Sequence, residues 1–332
     1  MKRKTFFAIL LALFSLPLIV SGRDVKAEST KQSSRTIEAI VSTQWLDEHV
    51  EDENLVILDL RDPENYAIGH IRGSVNITAP GNFFECFMDP NCGLWLELPT
   101  DEALFRTIGN TGITAESTVV LLGETDITQS LEAGYYGLTL SARVAITLLY
   151  AGIENVAILE GGYPKWLAEG RKISTENVVP DKTLYQGKTK GSMFVQKDYI
   201  ESKLGKSILL DTREPNSYFG IERDFLSAGD GHIPTSKLLS ATWIWTNPQQ
   251  QSDAASWLSW RDVLEVAEMA STILGNNKDE EIIVYCGAGG YASPVYFILA
   301  EQLGYTNVKF YDGSMQEWTA DPEAPVVRYK YE

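Results

Sequence analysis

A chain of 332 residues with 44% hydrophobic and 11% aromatic content can fill two cores of ordinary size, which excludes disorder over most of its length. Its formal net charge of −17 excludes nucleic acid or an anionic membrane surface as a partner, because either needs a basic face. Three histidines and three cysteines show no metal-ligand spacing, and nothing in the sequence calls for a metal or a cofactor.

The N-terminus reads MKRK and then FFAILLALFSLPLIV, a charged start and an apolar stretch too short for a comfortable membrane span. Small residues follow at Val20-Ser21-Gly22 and Val25-Lys26-Ala27. This pattern predicts a signal peptide over residues 1–27 and an exported chain, periplasmic or extracellular, with no membrane contact beyond that segment. Loss of Lys2, Arg3 and Lys4 would leave a charge of about −20.

Residues 36–172 form a first domain, with the apolar runs LVILDL, TVVLLG and VAILEGG separated by helical patterns such as SARVAITLLYAG. Within it, Cys86 and Cys92 lie six positions apart in FFECFMDPNCGLW, where one short disulfide is sterically reasonable. Residues 173–192 are polar, contain Pro180 and lack apolar periodicity, which marks a linker. A second domain over residues 193–325 repeats the alternation with SILLDT, EIIVYC and VKFYDGS, and with the helical pattern SPVYFILAEQLG. Strands without polar alternation, separated by helices, predict an α/β fold in which each domain is a parallel sheet with helices on both faces. Trp243, Trp245, Trp257 and Trp260 cluster in the second domain, where packing in the core or between domains is the expected use.

The two domains are copies. Asp59, Arg61, Pro63 and Tyr66 recur as Asp211, Arg213, Pro215 and Tyr218 at an offset of 152 residues. Gly69-His70-Ile71 recurs as Gly231-His232-Ile233, and Gly161 with Trp166 as Gly313 with Trp318. A period this long means duplicated domains and not a solenoid.

One position breaks the repeat. The run EIIVYC delivers Cys286 into Gly287, Ala288, Gly289, Gly290 and Tyr291, whereas the matching run TVVLLG ends on Gly123. Glycines let the backbone approach a ligand and aim successive N–H groups inward. Ser293 as N-cap and Pro294 as first helical residue would place a helix start beside the thiol and lower its pKa. In an exported chain whose other two cysteines pair, Cys286 is the odd and reactive thiol.

The ordered series of Asp-x-Arg, Gly-His-Ile, strand-Cys-glycine loop and Gly-x-x-x-x-Trp, present twice in full or in part, resembles the tandem-domain rhodanese sulfurtransferases. The resemblance covers nearly all of the chain beyond the signal segment. It implies two rhodanese-like domains, an inactive first one with Gly123 at the cysteine position and a catalytic second one. It further implies that Cys286 takes a sulfane sulfur from a small anionic donor of the thiosulfate or mercaptopyruvate type, stands as a persulfide, and passes the sulfur to a thiol or cyanide-like acceptor. The family's basic or hydroxyl side chain two residues after the cysteine is Ala288 here, and its substrate arginine six after the Asp is Ser217. Arg223 corresponds roughly to a second substrate arginine and could hold the donor's anionic group. Asp211, Arg213 and His232 have counterparts in the copy without a cysteine, so a structural role beside the site is expected of them.

Two other functions compete. A cysteine-dependent phosphatase needs an arginine six residues after the cysteine, and Ala292 stands there. A non-catalytic binding or sulfur-carrier protein of the cell envelope fits the missing side chains at Ala288 and Ser217.

Overall fold

Each half of the chain builds a five-stranded parallel sheet, and the two sheets share one strand order. In the first, β1 (Ile40–Val41), β2 (Leu55–Asp59), β3 (Val75–Asn76), β4 (Thr118–Leu122) and β5 (Asn155–Leu159) run in the order β3-β2-β4-β5-β1. The second has β6 (Phe194–Val195), β7 (Ile208–Asp211), β8 (Ser236–Leu238), β9 (Ile282–Tyr285) and β10 (Val308–Tyr311) in the order β8-β7-β9-β10-β6. The computed structural model describes residues 35–77, 83–86, 93–128, 131–246 and 255–331. The expected signal segment, residues 1–27, lies outside the described residues.

Apolar runs without polar alternation read as strands buried on both faces, and the packing shows which face goes where. Val119 and Leu121 of β4 and Ile282 and Val284 of β9 belong to one core cluster that runs through both halves. Their alternate neighbours turn outward into two separate clusters, Val120 and Leu122 in the first half and Ile283 and Tyr285 in the second. The inner faces therefore share a core, and Arg35–Glu332 form one compact unit.

Three features bind the halves. The helix Leu131–Tyr150 of the first half packs on the helix Ala292–Phe297 of the second. Trp257 bridges Asp126 in antiparallel fashion, and Tyr135 stacks on Trp245 with ring centroids 5.0 Å apart. The expected packing role of the tryptophans holds for Trp245, Trp257 and Trp260, while Trp243 is partly exposed. The linker is also fixed to the protein. Ile173–Ser174 pairs with His70–Ile71, and the Tyr185 hydroxyl donates to the Ala151 carbonyl at 2.8 Å.

The helix Leu131–Tyr150 begins well before the pattern SARVAITLLYAG suggests. Its first turns contain Gly134 and Gly137, which read as loop residues in sequence. A Cβ at Gly137 would stand 2.6 Å from the Glu124 amide nitrogen, so glycine serves close approach at this point of the helix. Among the described residues no helix is long and apolar enough to cross a membrane.

Candidate active site

β9 ends on Tyr285, and the next residue, Cys286, starts a loop that runs into the helix Ala292–Phe297. The loop is tied from behind by the helix Ser314–Ala320 that follows β10. The Cys286 amide donates to Ser314 Oγ at 3.2 Å, the Met315 amide to the Cys286 carbonyl at 2.9 Å, and the Gln316 amide to the Gly287 carbonyl at 2.9 Å. The Gly289 amide donates to Cys286 Sγ at 3.1 Å, and backbone N–H groups of Ala292 and Ala288 also favour the thiolate. Backbone donors at Ala288, Gly289 and Ala292 thus converge on the sulfur.

The three loop glycines serve different ends. Gly289 alone takes a left-handed φ, +84°. Gly287 and Gly290 leave space: a Cβ at Gly290 would stand 3.1 Å from Thr139 Cγ2 of the first half, and one at Gly287 would stand 2.7 and 2.9 Å from the carboxylate oxygens of Asp224. Ala288 is buried and Tyr291 borders the shared core.

Two expectations about the thiol are corrected. Ser293 does not cap the helix: Tyr291 holds the cap position and its side chain does not bond the first-turn amides, and Ser293 Oγ donates to the Gly289 carbonyl at 2.6 Å. The Cys286 pKa is raised, not lowered. Burial is the main cause and the Asp224 carboxylate adds to it, against the loop amides that pull the other way. Cys286 is 2% exposed, so desolvation of the thiolate outweighs its donors.

Arg223 stands apart from this arrangement. Its Nε pairs with Asp230 Oδ1 at 2.7 Å, and its side chain is 57% exposed. Ser217 lies in the short helix Pro215–Phe219. Asp211, Arg213 and His232 occupy a latch that both halves build. Arg213 Nη2 donates to Asp211 Oδ2 at 2.6 Å and to the Gly231 carbonyl at 2.7 Å; Arg61 does the same to Asp59 at 2.6 Å and to Gly69 at 3.0 Å. His232 stacks on Tyr218 with centroids 3.8 Å apart, as His70 stacks on Tyr66. Cys86 is disulfide-bonded and Cys286 is a free thiol; Cys92, the expected partner of Cys86, lies outside the described residues.

Sequence reasoning missed a wall from the first half. Gln316, next to the loop, exchanges two bonds of 2.9 Å with the Trp95 backbone. Asp312 Oδ2 accepts from the Leu98 amide at 2.8 Å, and its Oδ1 from the buried Arg143 at 2.7 Å. Arg143 also bonds the Leu96 carbonyl, and its Nη1 would lie 3.5 Å from a Cβ at Gly289. Glu97 is pushed up to about 8 by burial and by the nearby Asp312 carboxylate. An arginine inside the apolar run SARVAITLLYAG was the available signal.

A family model described as "Rhodanese-like domain" matches residues 42–169 and 196–321, one match per half. The chain belongs to the rhodanese-like domain family. Among its curated relatives, a putative thiosulfate sulfurtransferase of Synechococcus elongatus is 27% identical over 323 residues, covering 96% of this chain and 93% of the relative. The sulfur carrier protein TtuD of Thermus thermophilus is 30% identical over 295 residues, covering 85% and 93%. The thiosulfate sulfurtransferase of Pseudomonas aeruginosa is 28% identical over 281 residues, covering 82% and 90%. Of solved structures, the anaerobic ergothioneine biosynthesis enzyme from Chlorobium limicola superposes with a TM-score of 0.72 at 22% identity, covering 87% of this chain and 70% of that one. At that identity the likeness is one of fold. The relatives' names place the chain among sulfur-transfer proteins.

Proposed function

We propose that the protein transfers sulfane sulfur through a persulfide on Cys286. The observation that carries this reading is a free thiol at a strand end with the Gly289 amide 3.1 Å from its sulfur, present in the half that has the cysteine. In the first step the Cys286 thiolate attacks the outer sulfur of a donor such as thiosulfate. A Cys–S–S bond forms, the donor's S–S bond breaks, and sulfite leaves with the electron pair. In the second step a thiolate or cyanide attacks the outer persulfide sulfur and restores the Cys286 thiolate. The loop amides favour the anionic sulfur in both resting forms.

A second reading, a sulfur carrier that holds the persulfide for a later partner, is favoured by the TtuD relative and by the Asp224 carboxylate beside the loop, which opposes small anionic donors. Export is part of the proposal. The disulfide-bonded Cys86 supports an oxidising compartment, and the charged and apolar start of the chain supports the route to it.

Intact-mass spectrometry after exposure to thiosulfate or mercaptopyruvate tests the core claim. An adduct of about +32 Da, one sulfur atom, is expected on wild type and absent from Cys286→Ser. No adduct from any sulfane donor would overturn the reading. Release of the adduct by excess cyanide over many turnovers supports the enzyme; an adduct that cyanide does not discharge supports the carrier.

A further inference from the structure

Asp224 stands against the Cys286 loop where Gly287 has no side chain, with both carboxylate oxygens within 3.0 Å of where a Cβ would be. The Leu226 amide donates to its Oδ1 at 2.9 Å and so fixes the carboxylate in that direction. Among the described residues Asp224 forms no ion pair; Arg223 is committed to Asp230 at 2.7 Å, and the buried Arg213, which feels the Asp224 charge, is bonded to Asp211 at 2.6 Å. Directly after Asp224 comes Phe225, 83% exposed, whose ring meets the edge of Trp95 with centroids 6.1 Å apart. Trp95 is held by Gln316, the residue whose amide bonds the Gly287 carbonyl. A carboxylate and two aromatic rings therefore gather on one side of the thiol loop.

We propose that Asp224 is a specificity-determining residue that makes the Cys286 site prefer sulfur partners bearing a cationic alkylammonium group over small anions of the same reactivity. This rests on Cys286 being the sulfur-transfer thiol. A charge a few ångströms from a partly desolvated carboxylate feels it far more strongly than it would in water, so the sign of the partner's charge decides its residence beside the thiol. Aromatic faces add attraction for an ammonium and none for an anion. The same carboxylate contributes to the raised Cys286 pKa, as a negative group close to the sulfur must.

The test uses two methanethiosulfonate reagents that differ in charge, one ending in trimethylammonium and one in sulfonate. Each converts a thiol to a mixed disulfide with release of methanesulfinate, so neither needs sulfur-transfer activity. Among the described cysteines Cys286 is the free thiol, and each rate is divided by that with 2-mercaptoethanol to remove intrinsic reactivity. In wild type the normalised rate with the cationic reagent should exceed that with the anionic one by about tenfold or more. Asp224→Asn should cut this preference to less than about threefold, Asp224→Glu should keep it, and Glu116→Gln, which removes an equal charge from an exposed turn, should leave it unchanged. Circular dichroism confirms that each variant is folded. Equal normalised rates in wild type, a preference that survives Asp224→Asn, or failure of both reagents to reach Cys286 would overturn the inference. If Asp224→Asn leaves the preference intact while the persulfide still forms, the specificity claim fails and the sulfur-transfer reading stands. A rise in kcat/KM for thiosulfate in Asp224→Asn would support both.

Discussion

The two halves share strand order, the Asp-Arg latch, the stacked Tyr-His pair and a buried tryptophan whose indole caps a nearby carbonyl, at Lys172 in the first and Pro325 in the second. They differ at the end of the central strand. In the second half Cys286 opens a loop with donors aimed at its sulfur. In the first, Gly123 is filled by backbone: a Cβ there would collide with the Gly137 carbonyl oxygen and stand 2.6 Å from Ser141 Oγ. What both copies keep is scaffold. The first half lacks the space for a thiol as well as the thiol, and its helix Leu131–Tyr150 packs against the second half's helix that follows the Cys286 loop.

The largest expected effect follows from the position that differs. Cys286→Ser should abolish sulfur transfer and leave the fold intact, because a hydroxyl is nearly isosteric but forms no persulfide. Steady-state rates above about one-tenth of wild type would reject Cys286 as the nucleophile.

Positions that agree should behave alike. Asp59→Ala and Asp211→Ala each strand a buried arginine, Arg61 or Arg213, and each should cost about 3–5 kcal/mol in denaturant unfolding. If Asp211→Ala lost activity with little loss of stability while Asp59→Ala did the reverse, the latch of the second half would have a catalytic role that its twin lacks.

Restoring the missing residue should not restore the function. Gly123→Cys forces a side chain against the Gly137 and Ser141 positions and should destabilise by about 1–3 kcal/mol. Its thiol should gain no sulfane sulfur when Cys286 is replaced by serine. Transfer by the double variant Gly123→Cys, Cys286→Ser would show that the first site is merely unequipped and not closed.

Much of this comparison was legible in the sequence, because duplication leaves matching residues at matching offsets and buried parallel strands leave unbroken apolar runs. The recurrence of Asp211, Arg213 and His232 as Asp59, Arg61 and His70 was visible there, and the two sets make the same contacts. What escaped lies in contacts between distant segments. Asp224 sits in the insertion that the first half lacks, and nothing local announces that its carboxylate faces Gly287. The sign of the Cys286 shift escapes the sequence for a related reason: glycines and a helix start are visible there, but the burial that outweighs them comes from tertiary packing, in a core cluster drawn from both halves.

The wall between the halves carries an effect that shows as a pH dependence of stability. Glu97 is held near a pKa of about 8, against an ordinary value of 4.5, by burial first and by the Asp312 carboxylate second. Its folded pKa is raised, so between those two values the folded chain binds a proton that the unfolded chain has released. Stability should therefore fall as pH rises from about 4.5 to about 8, and level off above that. The slope expected from one such group is about 1 kcal/mol per pH unit. Glu97→Gln keeps the shape and removes the titration, so its urea midpoint should fall less across pH 6 to 8, a window about two units wide. Because Glu97 follows Leu96, whose carbonyl binds Arg143, and precedes Leu98, whose amide binds Asp312, the change should also appear as slower amide exchange in residues 95–98 at pH 8. Parallel slopes for wild type and Glu97→Gln would mean that this carboxyl is ionised in the folded protein, with its charge already balanced by Arg143.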